Sequence, residues 1–196
     1  MMERTSVVSR NTKETEIQIS LNLDGSGKAD IQTGIGFFDH MLNSFAQHGF
    51  FDLTVKVKGD LEVDTHHTIE DTGIVLGQAI KQAVGDKKGI VRYGSQILPM
   101  DESLVLCALD LCGRPYLVYD LDLDREKVGD LETEMVREFF YAVSYAAEMN
   151  LHIRQMAGMN NHHIIEAAFK AFAKALDSAV ATEPRLTGVL STKGSL

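Results

Sequence analysis

Four of the seven histidines stand in two adjacent pairs, each closed by a glutamate: His66-His67-Thr68-Ile69-Glu70 and His162-His163-Ile164-Ile165-Glu166. The copies are offset by 96 residues at every matching position. On a helix, residues three and four apart share a face, so each glutamate reaches an ion held by a preceding histidine. Neighbouring helical side chains point about 100° apart, so one ion does not take both histidines. A lone pair would read as a helix cap or a surface feature; repetition makes the pattern a metal signature. Imidazole and carboxylate donors without thiolate suit Mn, Fe, Zn, Ni or Co.

Two ions ask for about four protein ligands each, and the motifs supply six in all, so each ion needs one more. The repeat says where to look. His40 lies 26 residues before His66, and Glu138 lies 24 residues before His162. Both interrupt apolar neighbourhoods, Phe37-Phe38-Asp39-His40-Met41-Leu42 and Glu138-Phe139-Phe140. His48, beside Gly49, is read as a helix C-terminal cap in preference to a substrate contact. His152 has no counterpart in the other half and is read as structural.

The elements that must hold these residues are also written twice. Residues 16–31 alternate apolar and polar around Asp24-Gly25, and residues 104–119 do so around Gly113-Arg114-Pro115, so each predicts a hairpin, with Gly25 matching Gly113. Amphipathic helices follow at Gly36 to Gln47 and Glu134 to Glu148, then strands at Leu53–Val57 and Leu151–Arg154. Second helices, Thr65 to about Val84 and Asn161 to about Ala181, open on the histidine pairs. Hairpin, helix, strand, helix, performed twice, predicts an α+β fold of two duplicated halves, 1–89 and 90–196, forming one integrated domain. Each half is a small sheet with two helices on one face, and the helices pack between the two sheets.

Composition narrows the partners. A chain of 196 residues with 44% hydrophobic content can bury a real core, and its net charge of -9 argues against nucleic acid or an anionic membrane. Met1-Met2-Glu3-Arg4-Thr5 shows no leader pattern, and no apolar run approaches the roughly 18 residues of a membrane span, which predicts a cytoplasmic protein. Cys107 and Cys112 lack a second pair to complete a zinc site and are expected to be buried free thiols.

Several stretches together resemble imidazoleglycerol-phosphate dehydratase: Thr33-Gly34-Ile35-Gly36-Phe37-Phe38-Asp39-His40-Met41-Leu42, Asp64-Thr65-His66-His67-Thr68-Ile69-Glu70-Asp71, Asn161-His162-His163-Ile164-Ile165-Glu166-Ala167 and Ser191-Thr192-Lys193-Gly194. The resemblance covers essentially the whole chain. It implies a fold of the ribosomal protein S5 domain 2-like type and dehydration of imidazole glycerol phosphate in histidine biosynthesis. It also implies two Mn2+ ions per active site and a 24-subunit homo-oligomer with sites at subunit interfaces. One ion would take His40, His67, Glu70 and His163; the other His66, His162, Glu166 and position 138. Many family members carry histidine at that last position, where this chain has Glu138, still an oxygen donor that Mn accepts. Substrate contacts would come from Glu14, His40, His48, His66, His67, Glu70, Arg92, Arg114, Lys170, Ser191, Thr192 and Lys193.

The chemistry of the reaction sharpens these roles. The hydrogen removed sits on a carbon without an adjacent carbonyl, so the imidazole ring must supply the electrons that expel the hydroxyl. Two cations at the ring nitrogens would favour its imidazolate form. A carboxylate then removes the C–H proton. Glu14 is assigned that work, with Glu166 and His67 assisting and Asp101-Glu102 as the weaker candidate. A dinuclear hydrolase is the alternative enzyme. A ferritin-type bundle is disfavoured by the alternating strands.

Overall fold

The computed structural model describes residues 4–196; Met1–Glu3, from the segment read as lacking a leader, lie outside the described residues. In chain order the elements are β1 (Thr5–Asn11), β2 (Thr15–Asn22), β3 (Ala29–Gln32), α1 (Gly36–Gly49), β4 (Asp52–Gly59) and α2 (His66–Val84). The second run comprises β5 (Tyr93–Met100), β6 (Ser103–Asp110), β7 (Tyr116–Asp120), β8 (Lys127–Val128), β9 (Leu131–Glu132), α3 (Glu134–Ala146), β10 (Asn150–Ala157) and α4 (Asn161–Val180). The sheets run β1-β2-β4-β3 and β5-β6-β10-β7, the same order twice, with β8-β9 as a separate ribbon. This is the expected α+β architecture of duplicated halves.

The two expected hairpins are not hairpins. β4 lies between β2 and β3, antiparallel to the first and parallel to the second, and β10 lies likewise between β6 and β7. Each supposed hairpin is therefore half of a crossover: the chain leaves β3 or β7, passes through a helix and returns alongside in parallel. The true hairpins are β1-β2 and β5-β6. β1 and β5 escaped the alternation test because Val7 and Ile97 face out, while Ser6 and Gly94 face in. Gly25 and Gly113 also differ in purpose. A Cβ at Gly25 would lie 2.3 Å from the Asp52 amide nitrogen, whereas Gly113 sits at φ +79°.

The helices form a layer between the sheets, each first helix of one half packing on the second helix of the other. α2 meets α3 along Gly73 and Gly77, where a Cβ would fall 2.9 Å from the Phe139 carbonyl oxygen and 2.7 Å from that of Val143. Bare backbone at this i, i+4 stripe lets the axes approach. α1 meets α4 through Phe45 stacked on Phe172 at 5.3 Å. Between them lies one continuous core containing Phe38, Phe139, Phe140 and Phe169. Cys107 and Cys112 are buried free thiols. Among the described residues no helix is long and apolar enough to cross a membrane.

The β8-β9 ribbon fastens the second half to the helix starts of the first. Asp130 accepts the Gly36 and Phe37 amides at 2.6 and 2.9 Å, satisfying orphan donors at the α1 N-terminus. Glu132 accepts the hydroxyl of Thr65 at the start of α2. Both helices that present candidate ligands in the first half are thus tied down from outside it.

Candidate metal centre and substrate clefts

Both histidine pairs occupy the first turns of their helices, and the two turns are capped alike. The Asp64 carboxylate accepts the His66 amide at 2.8 Å, and the Asn160 side chain accepts the His162 amide at 3.0 Å. These caps are again 96 residues apart, so the duplication extends to the residues that aim the histidines.

Because α1 packs on α4, His40 is brought to the second motif. Its Nε2 lies 3.6 Å from Glu166 Oε2, and His162 Nε2 lies 3.1 Å from the same oxygen. A ring nitrogen of each histidine and a Glu166 oxygen fall within 4.8 Å of one another. Glu166 is buried, which by itself would favour the neutral acid. Lys170 at 2.7 Å, His40 and His162 outweigh that and hold the carboxyl below its ordinary range. Two half-exposed imidazoles and an anionic carboxylate converge where an ion can enter.

The duplicate arrangement pairs α3 with α2. There His66 Nε2 and Glu70 Oε2 are 4.0 Å apart, while the Glu138 carboxylate is turned to Arg137 Nη1 at 2.8 Å. Within one chain His40 therefore stands with His162 and Glu166, while His67, Glu70 and His163 are not gathered around it.

The second histidine of each pair points elsewhere. His67 Nδ1 is 3.0 Å from Asp60, with its Nε2 4.0 Å from Glu14. His163 Nδ1 is 2.7 Å from Glu102, with its Nε2 3.6 Å from Asp101. Donating to the Asp60 and Glu102 carboxylates raises the pKa of His67 and His163 respectively. Glu102 also accepts the Met159 and Asn160 amides, and with His163 these hold its carboxyl far below the usual range. Glu102 is thereby committed, which weakens it as the competitor of Glu14. Asp60 carried no signal in the sequence, being one of several acids between β4 and α2.

Eight of the twelve expected substrate residues fall in two clefts, and Glu14 lines a third. Arg92, Arg114, Ser191, Thr192 and Lys193 line one of about 630 Å³ beneath the C-terminal segment. Arg92 is held there by Asp110 at 2.7 and 3.0 Å and by the Leu190 carbonyl at 2.6 Å. His48 and Lys170 line another, of about 420 Å³, with His40 and Glu166. His48 faces this cleft, and burial together with Lys170 lowers its pKa. The left-handed Phe50, not His48, closes α1, donating its amide to Gln47.

The imidazoleglycerol-phosphate dehydratase family model matches residues 33–176, which carry both motifs, His40 and Glu138. The chain belongs to this family. The family's name is that of a hydro-lyase of histidine biosynthesis, so the protein is an enzyme of that class and the hydrolase alternative falls. Over 195 residues the chain is 69% identical to the imidazoleglycerol-phosphate dehydratase of Lachnoclostridium phytofermentans and 64% to that of Acetivibrio thermocellus, covering 100% of each chain. Family crystal structures share the fold. That of the Staphylococcus aureus N315 enzyme has TM-score 0.83 at 41% identity, over 91% of this chain and 99% of that one. That of the Pyrococcus furiosus enzyme, in complex with (S)-C348, has TM-score 0.84 at 35% identity, over 96% and 100%.

Proposed function

We propose that this chain is a metal-dependent dehydratase that converts D-erythro-imidazole glycerol phosphate to imidazole acetol phosphate. The observation that carries the metal reading is the convergence of His40 and His162 on the buried Glu166. The donor set fits a divalent ion of the Mn type: nitrogen and oxygen donors, no thiolate, and an anionic carboxylate held by Lys170. His67 and His163 fit as well. Each has Nδ1 against a carboxylate and Nε2 turned outward, the arrangement that orients a metal-binding imidazole.

Assembly follows from the same geometry. In one chain His67 and His163 point away from the groups that gather around Glu166 and Glu70, so two complete centres need histidines from another copy. This supports a homo-oligomer, a 24-mer in our reading, with two Mn2+ per active site shared between subunits. The ligands are His40, His66, His67, Glu70, Glu138, His162, His163 and Glu166, with Glu138 released from Arg137 on assembly. A phosphorylated substrate, which does not cross membranes unaided, fits a cytoplasmic enzyme.

In the mechanism, bound divalent ions would supply charge that favours the imidazolate form of the substrate ring. Arg92, Arg114 and Lys193, with the Ser191 and Thr192 hydroxyls, anchor the phosphate, and His48 and Lys170 extend the binding surface. Once the ring has expelled the hydroxyl, Glu14 takes the C–H proton, hydroxide and proton together making up the water lost, and the resulting enol becomes the ketone. His67 stands beside Glu14, and Glu166 assists at the ring.

The test is to strip the protein of metal, reload it with Mn2+ and assay imidazole acetol phosphate. Product formation that depends on Mn2+ is expected. Full activity in stripped protein would overturn the metal dependence, and no product from loaded protein would overturn the reaction.

A further inference from the structure

Next to Glu70 on α2, Asp71 is a carboxylate only 6% exposed, and it takes no part in the proposed mechanism. Its Oδ1 accepts from Arg10 Nε at 2.9 Å and its Oδ2 from the Thr15 hydroxyl at 2.6 Å. Both partners flank the β1-β2 turn that presents Glu14.

From Asp71 the direction of donation is determined all the way to that turn. Thr15 spends its one hydroxyl proton on Asp71, so the 3.2 Å contact between the Thr12 and Thr15 hydroxyls is donated by Thr12. The oxygen of Thr12 then uses its lone pairs on the amides of Glu14 and Thr15, at 3.0 and 2.9 Å. The relay runs from a buried anion to the backbone of Glu14.

The other half shows that the fold does not require this relay. Ala167 occupies the α4 position 96 residues after Asp71, and Ser103, which opens β6 as Thr15 opens β2, hydrogen-bonds Glu102 instead. The β5-β6 hairpin forms without a carboxylate beneath it. What differs is the acid before the strand: Glu102 is bound to His163 and two amides, whereas Glu14 is 53% exposed.

We propose that Asp71 is a positioning residue for the reaction, holding the Glu14 turn through Thr15 and Thr12 so that the base keeps its place beside His67. This rests on the reading of Glu14 as general base. A base must come within about 2.6–3.2 Å of the proton it takes, and a displacement near 1 Å can cost about 100-fold.

A double-mutant cycle tests it, with kcat, KM, bound metal and melting temperature measured on the Mn-loaded oligomer. In Asp71→Asn the amide faces donors on both sides. Asp71→Asn is expected to lower kcat about 10–100-fold, leave KM within about threefold and leave bound metal unchanged. In the Glu14→Gln background the same substitution should add almost nothing, because it acts through Glu14. Thr15→Val should reproduce the loss and Thr15→Ser restore it; this pair carries the test if Asp71→Asn does not assemble. Equal losses in both backgrounds, or a loss that follows bound metal or melting temperature, overturn the proposal. Normal turnover by Glu14→Gln alone would instead remove the reading of Glu14.

Discussion

Nδ1 of His67 lies 3.0 Å from Oδ2 of Asp60, which leaves Nε2 as the outward nitrogen of the ring. Glu102 does the same for His163, yet the two carboxylates are not duplicates. Asp60 lies between β4 and α2, where the position 96 residues on is Met156, and Glu102 lies in the β5-β6 turn, where the matching residue is Glu14. The halves reach one imidazole orientation by different routes.

If these carboxylates orient metal ligands, Asp60→Ala and Glu102→Ala should each weaken Mn2+ binding about 10–100-fold, in line with the usual cost of losing such a partner. Competitive titration against a metal-sensitive dye gives the constants. Unchanged affinity in both variants would contradict the orienting role.

If metal bridges copies of the chain, as proposed, assembly depends on the ion. Exhaustive chelation is expected to reduce the mass seen by light scattering, and Mn2+ should restore it. A mass that ignores chelation would mean the centres do not cross subunit boundaries.

Arg92 is already pinned by Asp110 and the Leu190 carbonyl, so in the proposed role it would meet a phosphate without first being ordered. Arg92→Ala should raise KM about 10–100-fold, the value of a charge-assisted contact, with bound metal unchanged. Steady-state kinetics and metal analysis decide it; an unaltered KM would remove Arg92 from the phosphate site.

The Gly77 stripe admits no side chain. A methyl there would fall 2.7 Å from both Ala146 Cβ and the Val143 carbonyl oxygen, forcing α2 away from α3. Gly77→Ala is expected to destabilise by about 1–3 kcal/mol despite its better helix propensity. Thermal melting measures it, and a stabilised variant would show that the interface can open without cost.

Much of the molecule was legible because its signals are local. Helical periodicity and caps lie within a few residues of one another, so α1 to α4 were found nearly to their ends, histidine pairs in place. The 96-residue offset of the motifs exposed the duplication, and the helix that precedes each motif pointed to His40 and Glu138.

What tertiary structure alone decided concerns neighbours. Alternation states that a strand has two faces, but backbone hydrogen bonds are the same for every residue and do not name the adjacent strand, so β4 and β10 inserted where hairpins were expected. β1 and β5 hid because Ser6 and Gly94 point inward. Helix packing across the halves placed His40 beside His162 and Glu166, since a side chain's direction on one helix says nothing of which helix it will meet. Contacts within each half gave His67 to Asp60 and His163 to Glu102, pairings that spacing along the chain does not encode.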